Sequence, residues 1–127
     1  MERFLWVCAA GALGSGARFL VSMGIERAVR GPSFPYGTLL VNVVGSFLIC
    51  AIMPLAAAGI VSPTQRLALT TGFLGGFTTY SAFAYETLRC FDVKAFRVGV
   101  LNITATLVLG LAAGALGLLC GRKLAGD

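Results

Sequence analysis

Gly72-Phe73-Leu74-Gly75-Gly76-Phe77-Thr78-Thr79-Tyr80-Ser81-Ala82-Phe83-Ala84-Tyr85-Glu86 is the stretch that decides the fold of this chain. It belongs to an uncharged run, Leu67 to Tyr85, close to the length of about 20 residues that a helix needs to cross hydrocarbon. Two adjacent glycines and a Thr-Thr pair in mid-run invite a break in that helix. A break frees backbone carbonyls, and unpaired carbonyls at that depth need a partner. A small hard cation bound by oxygens alone would satisfy them, as in broken-helix transporters. One subunit offers too few carbonyls for a full shell, whereas two meeting at the midplane double the number. A glycine notch that lets another helix come close explains the same residues, and spacing alone favours the notch.

Outward from this run, three more stretches have the same character. Phe4 to Ile25 holds one charge, Arg18, while Gly37 to Val61 and Val98 to Gly121 hold none. Hydrophobic residues make up 57% of the 127 and charged residues 12%, about half the charged share of an average soluble domain. The chain therefore reads as an all-α membrane protein. It is expected to form one integral membrane domain, 1–127, with four transmembrane helices at about 4–28, 36–60, 64–89 and 95–122, the third broken in mid-membrane. The joints are short and carry breakers: Gly31-Pro32-Ser33-Phe34-Pro35, Ser62-Pro63-Thr64 and Asp92-Val93-Lys94. Ser62 is placed to cap helix three with Pro63 in its first turn. Pro54 is expected to kink helix two without ending it. The N-terminal run is too long for a signal peptide and reads as an uncleaved first helix.

Several function classes fall away. The ten Lys and Arg are scattered, so the net charge of +5 does not describe a nucleic-acid surface. There is no histidine, the usual general base and commonest metal ligand. Cys8, Cys50, Cys90 and Cys120 have no paired spacing and read as small apolar helix residues. No set of nucleophile, base and orienting partner is present, so an enzyme is not expected.

Orientation follows Lys and Arg near helix ends. Arg3, Arg66, Arg122 and Lys123 fall on one side, and Arg27, Arg30, Arg89, Lys94 and Arg97 on the other. So even a balance is compatible with insertion both ways and an antiparallel pair; it is equally compatible with one loop fixing a single orientation. Small residues four apart (Gly72 and Gly76, Gly110 and Gly114, Gly117 and Gly121) support close helix contact, within one subunit or between two.

Polar groups inside the spans are costly and therefore informative. Arg18 must reach water, an anion or a carboxylate, either by snorkelling towards Glu26 or as part of a pathway. Thr38 and Asn42 share a face of helix two, where the Asn42 amide can donate to an anion or bond another helix. Tyr80 and Phe83 share a face beyond the break. Aromatic rings have positive edges, so a small, strongly hydrated anion could be held by ring edges with hydroxyl and amide donors; simple packing is the alternative. Asn102 and Thr106 align on helix four, with Thr104 on a different face.

In these residues the chain resembles the fluoride channels called Fluc or CrcB proteins, over almost its whole length. The specific part is Gly72 to Glu86, similar to the family's Gly-Phe-x-Gly-Gly-x-Thr-Thr-Phe-Ser-Thr-Phe segment, reinforced by Gly37-Thr38-Leu39 with Asn42 and by Arg18 after a glycine-rich stretch. The resemblance implies a dual-topology, antiparallel homodimer in the cell (inner) membrane, passively exporting toxic fluoride through two pores. It also implies a structural sodium ion, not transported, held at the dimer centre by backbone carbonyls of Gly75 and Thr78 from both subunits. Tyr80, Phe83 and Asn42 would lie on the fluoride route, with Asn102 and Thr106 as the helix-four track. Arg18, Thr38, Thr79, Ser81 and Glu86 match supporting positions. Two departures stand out: Tyr80 replaces the usual Phe, and Gly110 takes a place where family members can carry serine. The rival is a small multidrug-type, proton-coupled cation exporter, also of four helices. That class needs a carboxylate deep in helix one, where this chain has Arg18.

Overall fold

The computed structural model describes residues 1–29 and 34–126; Arg30 and the Gly31-Pro32-Ser33 part of the first joint lie outside them. Among the described residues the chain is all helical. Helix one spans Glu2–Ala28, helix two Tyr36–Ala57 and helix four Phe96–Ala125, and each is long and apolar enough to cross a membrane. Between helices two and four runs helix three, in two halves. Its first half opens as Pro63–Leu67, widens into a π-helix over Ala68–Leu74 and closes as Gly75–Phe77. Its second half is Tyr80–Asp92. This is a multi-pass membrane protein.

The chain's punctuation follows local chemistry. Ser62 Oγ accepts from the Gln65 N–H at 3.2 Å, and Gln65 Oε1 accepts from the Ser62 N–H at 2.9 Å, with Pro63 at the first helical position. Helix two runs through Pro54, whose carbonyl accepts from Ala58 N at 2.9 Å. It ends at Ala57 rather than near 60, because Gly59 turns the chain with φ 75°. Helix three continues past the expected 89 to Asp92, where Lys94 reverses the chain at φ 61°. Helix four likewise runs beyond 122, to Ala125, before Gly126 caps it in the left-handed region.

Packing divides helix three between two neighbours. Its first half lies on helix one, its second half on helix four, and helix two runs along helix four. Glycines make the closest approaches. A Cβ at Gly14 would overlap the Phe73 carbonyl, and one at Gly76 would overlap the Gly11 carbonyl. On the other side, Cβ atoms at Gly117 and Gly121 would overlap the carbonyls of Phe47 and Ala51. A small core of Val41, Leu74 and Phe77 fills the centre, ringed by Ala17, Val21, Val44, Leu48, Ile52 and Phe73. Most other large apolar side chains, such as Phe4, Trp6, Leu13, Leu111 and Leu116, point outward, as a lipid surrounding requires.

Candidate functional site

The break falls at Thr78 and Thr79, both extended (φ −85°, ψ 157° and φ −151°, ψ 114°). Gly45 makes room for it, since a Cβ there would overlap the Thr78 methyl. In a continuous helix the Thr79 N–H would donate to the Gly75 carbonyl. Here it donates to Asn42 Oδ1 at 2.8 Å, and Asn42 Nδ2 donates back to the Thr79 carbonyl at 3.0 Å. The side-chain amide thus pairs with both polar groups of one extended residue, as a neighbouring strand would.

The next turn is released in the same way. Helical geometry would pair the Ala82 N–H with the Thr78 carbonyl, but Ala82 N donates to Thr79 Oγ1 at 3.2 Å, capping the second half of helix three. Two side chains, Asn42 and Thr79, therefore take the donors that would occupy the Gly75 and Thr78 carbonyls. Gly75 is exposed and Thr78 half-buried. The paired glycines have separate uses: Gly76 meets helix one, while a Cβ at Gly75 would find only the Thr70 carbonyl, at 3.7 Å. Notch and break coexist, with only Phe77 between them.

A cleft of about 350 Å³ opens at this point, lined by Asn42, Ser46, Gly75, Thr78, Thr79, Tyr80, Phe83 and Thr106 among others. The Tyr80 and Phe83 rings are tilted at 51° with centroids 5.8 Å apart. Phe83 is half-buried, and Tyr80 projects outward, 81% exposed. One of the two Asn42 amide hydrogens goes to Thr79, leaving a second for the cleft. Ser46, which sequence reasoning missed, donates to the Asn42 carbonyl at 2.7 Å. Its hydroxyl also lies 3.7 Å from where a Gly110 Cβ would be.

A second, larger cavity of about 800 Å³ lies on the other side of the break, and Thr79 borders both. Arg18, Ser22, Glu26, Thr38, Glu86 and Arg89 are among the residues that line it. Thr38 Oγ1 donates to Glu86 Oε1 at 2.8 Å, while Glu86 Oε2 is buried without a partner. Arg18, Glu26 and Glu86 thus line the same cavity. Ser81 is exposed and touches Thr79 Oγ1 at 3.3 Å.

Asn102 stands apart from both cavities. It is 0% exposed, and its Nδ2 donates to Thr87 Oγ1 at 2.9 Å. Thr87, also unforeseen, carried only the weak signal of a polar residue one turn past Phe83. Thr104 is exposed and bonds its own helix, through the Val100 carbonyl at 2.9 Å. The structure thus brings Asn42, Gly75, Thr78, Thr79, Tyr80, Phe83 and Thr106 together; it gathers Arg18, Thr38 and Glu86 elsewhere and sets Asn102 behind.

Known proteins are similar to this sequence over nearly its whole length. The family model described as CrcB-like protein, Camphor Resistance (CrcB), matches residues 5–118. A protein of Sorangium cellulosum named fluoride-specific ion channel FluC is 49% identical over 125 residues, 98% of each chain. One of the same name from Anaeromyxobacter dehalogenans is 49% identical over 127 residues, 99% of this chain and 100% of that one. Another from Caulobacter vibrioides is 45% identical over 126 residues, 98% of each. With a matched region that runs from the first turns of helix one, through the break, into helix four, this chain belongs to the CrcB-like family.

Proposed function

We propose that this protein is a passive, fluoride-selective channel, assembled from two antiparallel copies in the cell inner membrane. The observation that carries the reading is the break itself: Asn42 and Thr79 hold two helical donors away from the Gly75 and Thr78 carbonyls, directly beside an aromatic cleft with amide and hydroxyl donors. A donor set of carbonyl oxygens alone suits a hard cation. In the antiparallel pair, Gly75 and Thr78 of both copies would hold a structural sodium ion, which supplies positive charge at the midplane and is not transported.

The chain's other groups serve the anion. The cavity that Arg18 lines receives it from water, and Thr79 stands where that cavity meets the cleft. The free amide hydrogen of Asn42, the ring edges of Tyr80 and Phe83 and the Thr106 hydroxyl replace its hydration. Thr106 Oγ1 is buried and unpartnered in a single copy, so its hydrogen is available. A narrow passage with fixed donors discriminates against larger halides. Hydrogen fluoride crosses lipid as a neutral molecule and ionises in a near-neutral cytoplasm. The trapped anion then leaves down its gradient, helped by a negative-inside potential, with no fuel and no proton partner. The drug-exporter alternative finds no support, because the charge deep in helix one is Arg18.

Fluoride efflux from liposomes containing only the purified protein tests this reading, repeated with chloride and after sodium is removed. Fluoride leaves, chloride stays, and the fluoride rate falls without sodium. A protein that passes both halides alike, or neither, is not this channel. Cysteine cross-linking across Gly75→Cys pairs checks the assembly, with a symmetric dimer joined at the break as the expected product.

A further inference from the structure

Two extended residues separate the halves of helix three, so the second half does not inherit its rotation from the first. That rotation decides where Tyr80 and Phe83 point, since one residue of slip turns a helix by about 100°. Two side-chain bonds on adjacent residues set it. Glu86 is held by Thr38 of helix two at 2.8 Å, and Thr87 by Asn102 of helix four at 2.9 Å. Anchors on neighbouring residues, pulling towards two different helices, fix the angle in a way that either alone would not.

Thr87 is better placed than Glu86 to act on the cleft. Tyr80, Phe83 and Thr87 follow one another at spacings of three and four, along one face. The Thr87 hydroxyl donates to the Phe83 carbonyl at 2.7 Å. A hydroxyl has one hydrogen, so towards Asn102 it can only accept, and the chain of bonds has a single direction: Asn102 amide to Thr87 hydroxyl to Phe83 carbonyl. Thr87 is 6% exposed and Asn102 fully buried, where no water replaces a lost partner. A threonine bonding back to its own helix is ordinary; here the bond is also held from a second helix.

We infer that Thr87 is a positioning residue: gripped by Asn102, its hydroxyl fixes the Phe83 backbone and thereby the stand of the Phe83 ring in the cleft. The effect on ion flow rests on the channel reading; the effect on the ring does not. Thr87→Val keeps the shape and removes the hydroxyl, whereas Thr87→Ser keeps the hydroxyl. Thr87→Val slows fluoride efflux roughly tenfold, and Thr87→Ser stays within about twofold of the parent. Thr104→Val, which removes a back-bond of the same kind on an exposed face, leaves efflux unchanged. With 4-fluorophenylalanine at position 83 of the full-length protein, the fluorine resonance shifts in Thr87→Val and returns in Thr87→Ser. Asn102→Leu, which cuts the same chain from helix four, gives the same shift and covers the case in which Thr87→Val fails to fold. Equal efflux in the Val and Ser variants, a Thr104→Val loss as large, or a resonance that does not move overturns the inference. A parent protein that passes no fluoride sinks the channel reading instead, and the resonance then decides the role of Thr87 alone.

Discussion

The two halves of helix three are held by opposite means. The first is glued to helix one by bare backbone: Gly14 against the Phe73 carbonyl, and Gly72 and Gly76 against Val7 and Gly11. The second is tied by polar side chains, through Asn42 to Thr79, Thr38 to Glu86 and Asn102 to Thr87. Inside a bilayer, burial of apolar surface does not drive helices together, so close contact and interhelical hydrogen bonds must. Backbone contact tolerates almost no change of size. Hydrogen bonds tolerate changes of size but not of chemistry. The first half relies on backbone contact, and the second, which carries the Tyr80 and Phe83 rings, relies on hydrogen bonds.

The largest effect is expected where contact is backbone on backbone. Gly14→Leu forces a side chain into the Phe73 carbonyl, a clash costing about 3 kcal/mol. Recovery of monodisperse protein collapses, and fluoride efflux goes with it; a normal melting temperature would show that the halves are not held as described. Next come the groups of the cleft. Asn42→Ala and Phe83→Ile severely reduce fluoride efflux from proteoliposomes while the protein stays folded. Asn42→Ala is the less stable of the two, because it strands both polar groups of Thr79 at about 1–3 kcal/mol for each unpaired group. Near-normal flux in both variants would remove these residues from the pathway.

Thr38→Val tests the comparison more gently. It leaves Glu86 Oε1 without its donor beside an Oε2 that already has none, at about 1–3 kcal/mol for one stranded group against two in Asn42→Ala. Its melting temperature falls by less than in Asn42→Ala, and efflux falls with it. The smallest effect is at the turn into helix four. Lys94→Gly relieves a left-handed residue and stabilises the protein by about 1 kcal/mol, read as a higher melting temperature with unchanged efflux.

Much of this architecture could be read from the residues. Apolar runs of near-spanning length, three of them uncharged and one holding only Arg18, give the four helices, Ser62 and Pro63 the start of the third, and Gly-Gly-Phe-Thr-Thr its interruption. What the residues could not show is which groups answer the interruption. Gly75 and Gly76 are chemically identical neighbours, and only their neighbours in space separate an exposed residue beside the break from a helix contact. The π-helical widening over Ala68–Leu74 leaves no trace in hydropathy, because it changes the path of the backbone and not the identity of the side chains. Asn102 read as a companion of Thr106 from its four-residue spacing, yet a small difference in helix rotation turns it to Thr87 and away from the cleft.

The Asn42–Thr79 pairing also bears on how the molecule is made. Neither half of helix three is long enough to span hydrocarbon alone, so both must enter the bilayer together, carrying an extended peptide that cannot satisfy itself. Residue 42 is translated before residue 79, and its amide is therefore already in place when that peptide leaves the ribosome. Thr87, whose anchor on helix four is made later, can meanwhile rest on the Phe83 carbonyl of its own helix. Order along the gene thus spares the growing chain any moment at which its most awkward peptide waits in lipid for a partner not yet synthesised.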